Sequence, residues 1–176
     1  MKITLYGAAS ENIAEIYKCE GENLGREISK RGHTLVFGGG NHGMMGAVAN
    51  ECIKNKTEVI GVIPEIFREQ NLTFTKSIYT DTMRGRKKVL REEGDSFIIT
   101  PGGIGTLDEF FEVLELRKQD IHLKPIAIFN INNYFSDIIK FIEKNVNEGF
   151  IPESLLKKFK VTTTAEETLN YLESKI

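Results

Sequence analysis

Two stretches of this chain of 176 residues have the composition of anion-binding loops. Phe37-Gly38-Gly39-Gly40-Asn41-His42-Gly43-Met44-Met45-Gly46 and Thr100-Pro101-Gly102-Gly103-Ile104-Gly105-Thr106-Leu107-Asp108-Glu109 each follow a β-rich run and lead into a segment of helical period. Glycines there let a ligand approach the backbone closely. The free N–H groups and dipole of a helix start then favour a phosphate. Gly38, Gly40 and Gly43 satisfy G-x-G-x-x-G, and Glu65 lies near the distance of a ribose-binding acid. However, the loop follows the second strand rather than the first, and Glu65 stands beyond Pro64. A dinucleotide site, another phosphate site and a plain tight turn all fit it. Neither loop ends in G-K-[ST], which argues against a Walker-type NTPase.

In the second loop Thr106 is expected to cap the new helix or to bond a phosphate oxygen. Asp108 and Glu109 then follow on the first turn, where the helix dipole keeps a carboxylate ionised. They are either favourable first-turn residues or catalytic ones. Met83-Arg84-Gly85-Arg86-Lys87-Lys88 is the dense basic cluster, and it starts a predicted helix, where the dipole disfavours cations. That placement points to an anionic partner, a phosphate or an acidic side chain; a solvated basic turn is the alternative. His42 is expected to bond locally within its loop.

The elements that must carry these loops alternate strand and helix. Strands are predicted at Ile3–Tyr6, Thr34–Phe37, Val59–Ile63, Ser77–Thr80, Ser96–Thr100 and Pro125–Phe129. Helices are predicted at Ile13–Lys30, Met44–Lys54, Met83–Glu93, Thr106–Lys118 and Tyr134–Val146, with two short ones after Pro152 and Thr164. Ile13, Ile16, Tyr17, Leu24 and Ile28 are available for the inner face of the first helix. Thr164 and Glu167 fit a capping box. The segment Glu65–Asp81 reads as loop before its short strand. This alternation implies an α/β, Rossmann-like three-layer fold, a mostly parallel sheet with helices on both faces. Apolar runs such as Phe97-Ile98-Ile99 suit strands buried on both sides. Ligands of such sheets sit beyond the C-terminal strand ends, where both loops fall.

The length suits a single domain over residues 1–176, and 40% hydrophobic with 27% charged residues is ordinary globular composition. A net charge of -2 gives no general attraction for nucleic acid or an anionic membrane, so any anion site is local. No apolar run is long enough to span a membrane, and no signal-peptide pattern is present. Cys19 and Cys52 lack CxxC spacing and are expected to be buried thiols in a reducing cytosol. His33, His42 and His122 show no metal-ligand spacing, so no metal or cofactor is implied.

Taken with their order, these motifs resemble the LOG ("lonely guy") family of nucleoside 5'-monophosphate phosphoribohydrolases, long labelled lysine decarboxylases. Gly38–Gly46 is similar to that family's GGGxxGLMG, Pro101–Glu109 to its PGGxGTxxE, and Met83–Lys87 to its MxxRK. The resemblance extends to Leu5–Ser10 and Ile121–Pro125 and so spans roughly the whole chain. Arg84-Gly85 fill variable places of MxxRK, and Tyr6-Gly7-Ala8-Ala9-Ser10 stands where a CGSS-like start is usual.

The resemblance implies hydrolysis of the N-glycosidic bond of a purine nucleoside 5'-monophosphate, AMP or a cytokinin riboside monophosphate, with Arg86 and Glu109 catalytic. Gly102, Gly103, Gly105 and Thr106 are expected to cradle the phosphate, with Lys87 in support. Gly38, Gly39, Gly40, Gly43, Gly46 and Met83 are expected to complete the pocket. A homodimer is implied by the resemblance alone; the cytoplasmic expectation comes from the two unpaired thiols. The alternatives are a non-catalytic nucleotide-binding module, against which Arg86 and Glu109 argue, and a lysine decarboxylase, which needs a Schiff-base lysine.

Overall fold

The computed structural model describes residues 1–68 and 74–176. Strands β1 (Lys2–Tyr6), β2 (Thr34–Phe37), β3 (Val59–Pro64), β4 (Lys76–Thr80), β5 (Ser96–Ile99), β6 (Ile126–Phe129) and β7 (Lys160–Thr162) form one sheet, ordered β4-β3-β2-β1-β5-β6-β7. Every pairing is parallel. Helices α1 (Glu15–Lys30), α2 (Gly43–Lys54), α3 (Met83–Glu93), α4 (Ile104–Lys118), α5 (Ser136–Asn147) and α6 (Ala165–Glu173) cover it.

The period of two along each strand makes the layers. Ile3 and Leu5 of β1 pack with Phe37 and Ile98 against Leu24 and Ile28 of α1, Met44 and Val48 of α2, and Leu169 and Leu172 of α6. Tyr6 faces the other way. It joins Val36, Phe97 and Ile99 against Leu90 of α3, Phe110 and Val113 of α4, and Phe135 and Ile142 beside or within α5. Side chains alternate across a strand, so β1, β2, β3, β5 and β6 feed both cores, and β3 is buried along its whole length. The three-layer expectation holds.

Strand order turns back between β1 and β5, which opens a crevice beyond their C-terminal ends. Three connections close around it. The Ala8 amide donates to the Pro101 carbonyl at 3.1 Å and the Met45 amide to the Ala8 carbonyl at 3.0 Å. The residues after β1, β2 and β5 are thus tied together.

Several local expectations change. β7 lies where the sequence shows only a gap between short helices, because Lys-Val-Thr is too short to show a period. The element after Pro152 is a 3₁₀ turn, Glu153–Lys157. Thr164 caps α6 as expected, its Oγ1 accepting from the Glu167 amide at 3.1 Å, but the Glu167 carboxylate accepts from the Thr163 amide, one residue beyond the cap. Ile16 is 47% exposed rather than in the core. Cys52 is buried, whereas Cys19 is exposed on α1. Glu65 opens a 3₁₀ turn, Glu65–Phe67; the loop expected beyond it includes residues 69–73, which lie outside the described residues.

Candidate active site

Helix α4 begins at Ile104, two residues earlier than expected. Its N-cap is Gly103, which has no side chain to offer, and no side-chain cap is present. Thr106 is therefore not the cap. It is buried, and its hydroxyl lies where a Cβ on Gly102 would come within 2.1 Å. The earlier start also moves Glu109 into the second turn, beyond the reach of first-turn stabilisation.

Glu109 meets Arg86 of α3 at the cleft between α3 and α4, and its side chain is 13% exposed. Burial pushes its carboxyl up to about 7, although Arg86 works in the opposite direction. The expectation of a firmly ionised carboxylate is replaced by one that titrates near neutrality. The physical reason is desolvation, which the sequence did not display.

Arg86 comes from the first turn of α3, whose N-cap Thr82 accepts from the Gly85 amide at 3.0 Å. The guanidinium makes three directed hydrogen bonds. Nη1 donates to Glu109 Oε1 at 3.2 Å, Nη2 to the Gly38 carbonyl at 3.1 Å and Nε to the Val62 carbonyl at 3.2 Å. One planar fork thus joins the first glycine loop, β3 and α4.

Arg86 and Met83 also border two clefts. One, of about 280 Å³, lies over Gly38, Gly39 and Gly40 and is walled by Ala9, Met45, Ile63, Pro64 and Phe67. The other, of about 860 Å³, runs between α3 and α4 past Lys87, Gly105, Asp108, Glu109 and Glu112. The backbone amides of Gly103, Ile104, Gly105 and Thr106 find no acceptor among the described residues. A Cβ built on Gly103 or Gly105 would meet nothing within 4 Å.

The other sequence-derived candidates divide. Gly38, Gly39, Gly40 and Met83 line the smaller cleft, and Gly105 the larger. Gly43 and Gly46 line neither cleft and lie against the Ser10 and Asn41 carbonyl oxygens. Lys87 bonds Asp108 at 2.9 Å and Glu112 at 2.6 Å, and Arg91 also pairs with Glu112. Of the two anionic partners considered for the basic cluster, the acidic side chain is the one Lys87 takes. Those bonds raise its pKa, opposite to what imine formation requires. Glu65 pairs with Arg68 at 2.7 Å. His42 bonds Glu11 at 2.9 Å beside its loop. Among the described residues, no group of three or more His, Cys, Asp or Glu side chains could hold a metal ion, and no helix is long and apolar enough to cross a membrane.

Sequence reasoning missed the carbonyls of Gly38 and Val62 as anchors of Arg86, and Tyr134, whose hydroxyl donates to the Gly102 carbonyl at 2.8 Å. Main-chain partners leave no residue-type signal, so nothing in the sequence could have found the first two.

A family model described as "Possible lysine decarboxylase" matches residues 45–172. "Cytokinin riboside 5'-monophosphate phosphoribohydrolase LOG3" of Arabidopsis thaliana is 33% identical over 98% of this chain and 81% of its own length. "Cytokinin riboside 5'-monophosphate phosphoribohydrolase" of Rhodococcoides fascians is 36% identical over 85% of this chain and 77% of its own. Among solved structures, the molybdenum cofactor carrier protein of Chlamydomonas reinhardtii superposes with a TM-score of 0.75 at 16% identity, over 99% of this chain and 96% of that one. At that identity the likeness speaks to the fold alone.

Proposed function

We propose, from the premise that this chain belongs to the LOG family of phosphoribohydrolases, that it hydrolyses the N-glycosidic bond of a purine nucleoside 5'-monophosphate to the free base and ribose 5-phosphate. The observation that carries the reading is the Arg86–Glu109 pair, 3.2 Å apart, at the junction of the two clefts. Relatives that share most of their length with this chain are named for that reaction on cytokinin riboside 5'-monophosphates.

The chemistry suits the residues. As the C1'–N9 bond breaks, the base leaves with the bonding pair and takes up a proton, and the ribosyl centre becomes cationic. Ionised Glu109 stabilises that charge and accepts a proton from the attacking water. A carboxyl that titrates at about 7 is suited to both duties at neutral pH. Arg86 holds Glu109 in place and has N–H groups left to orient the substrate. The amides of Gly102, Gly103, Gly105 and Thr106 receive the 5'-phosphate. Gly38–Gly40 and Met83 bound the rest of the nucleotide, and Lys87 contributes positive charge from α3. AMP is the simplest substrate of this class. The chain then acts as one nucleotide-binding domain, as a cytoplasmic homodimer, without nucleic acid or membrane partners.

The test is substrate comparison. Adenine release from AMP is expected to exceed release from adenosine by orders of magnitude in kcat/KM, because charge-assisted hydrogen bonds contribute roughly 1.5–3 kcal/mol each. Equal values would overturn the phosphate cradle. Cadaverine production from lysine would instead support decarboxylation, and AMP binding without turnover a non-catalytic module.

A further inference from the structure

Tyr134 stands ahead of α5 rather than inside it, at the end of a 3₁₀ turn, Ile131–Asn133. Two successive residues of that turn, Asn132 and Asn133, take left-handed backbone angles, with φ of 50° and 58°. Asn enters that region more readily than most residues, but not without cost. The bend is closed by Asn130, whose Oδ1 accepts from the Phe135 amide at 2.7 Å in a buried contact. It swings Tyr134 away from the end of β6 and toward the second glycine loop. There the hydroxyl donates to the Gly102 carbonyl oxygen at 2.8 Å. The ring is held edge-on by Tyr17 of α1, with centroids 5.8 Å apart, and by Phe135 at 5.0 Å.

The Gly102–Gly103 peptide has no side chain on either flank to hold it, and glycine pairs rotate freely. In a planar trans peptide the C=O and the following N–H point in opposite directions. Gripping the Gly102 oxygen from one side therefore aims the Gly103 amide to the other. That amide has no acceptor among the described residues, and Gly103 borders open space. We infer that Tyr134 is a positioning residue, whose hydroxyl locks the Gly102–Gly103 peptide so that the Gly103 N–H faces the incoming phosphate. The inference rests on the phosphate-cradle reading above. It identifies why a strained turn on a neighbouring strand is kept next to the loop.

Tyr134→Phe removes the hydroxyl and keeps the ring contacts. Calorimetric titration with ribose 5-phosphate and steady-state kinetics with AMP and adenosine decide the matter. The variant is expected to bind ribose 5-phosphate roughly three- to tenfold more weakly, the worth of one oriented hydrogen bond. The loss for AMP is expected in KM rather than kcat, so the preference for AMP over adenosine narrows by the same factor. A merely structural role would lower AMP and adenosine turnover together and leave that preference unchanged, which would overturn the inference. Wild-type protein with no affinity for ribose 5-phosphate would remove the cradle reading and this inference with it. Wild-type binding matched by an unchanged Tyr134→Phe would remove this inference alone.

Discussion

A Cβ at Gly38 would stand 1.6 Å from Arg86 Nη2, and one at Gly43, where φ is +61°, would stand 2.5 Å from the Ser10 carbonyl oxygen. At Gly103 and Gly105 it would meet nothing within 4 Å. The two loops resemble each other in sequence, yet their glycines answer to different demands. Those of the first loop make room for this chain's own groups, chiefly the guanidinium that reaches Glu109. Gly103 and Gly105 are required by no neighbour and no positive φ, and the space beside them is open to solvent. On the proposed reading, the first loop seats the arginine of the catalytic pair, and the second stays open at Gly103 and Gly105 for the phosphate. Identical residue types therefore need different tests.

The largest effect is expected at Gly43. Alanine there meets both an unfavourable φ and a carbonyl oxygen, and is expected to cost about 2–5 kcal/mol of stability in urea unfolding. An unchanged unfolding midpoint would break the contrast, because the first loop would then tolerate a side chain too.

Next comes the pair where the loops meet. Glu109 has a folded pKa raised above its unfolded value, so the native state holds the proton more tightly. Stability contributed by this group is present below about pH 4.5 and is lost as pH rises through about 7. Glu109→Gln lacks that titration. Its stability relative to wild type is expected to shift in its favour by about 2–3 kcal/mol between pH 4 and pH 8.5. Chemical denaturation at a series of pH values reads this directly, and a difference independent of pH would contradict the burial account.

The smallest effect sharpens the contrast most. Gly105→Ala places a methyl in open space on a helix and is expected to stabilise the fold by about 0.5–1 kcal/mol. It is also expected to weaken ribose 5-phosphate binding by roughly tenfold, since the methyl intrudes where the ligand approaches. A variant that gains stability and loses nothing in affinity would show that the space at Gly105 serves no ligand.

Most of the architecture was legible because burial writes itself into hydrophobic period. Val59–Ile63 and Phe97–Ile99 are apolar on successive residues, and strands covered on both faces must be. The loops were legible because glycine clusters between strand and helix are rare without a reason. What escaped depends on contacts between distant residues. Glu109 lies in sequence beside the exposed Asp108, and only the packing of α4 against the sheet distinguishes a buried carboxyl from a solvated one. Thr106 looked like a cap because its type is right, but the helix starts at a glycine. The acidic partners of Lys87, Asp108 and Glu112, come from another helix, so the sequence around Lys87 does not display them. β7 carries too few residues to show a pattern.

The central claim is that Glu109 acts through its charge in the transition state rather than by holding the substrate. Glutamine keeps the shape and an acceptor for Arg86 but cannot carry the charge. Glu109→Gln is therefore expected to bind AMP with nearly wild-type affinity in calorimetric titration while adenine release falls by about two to three orders of magnitude in kcat. A Glu109→Gln protein that releases adenine at the wild-type rate would contradict the account.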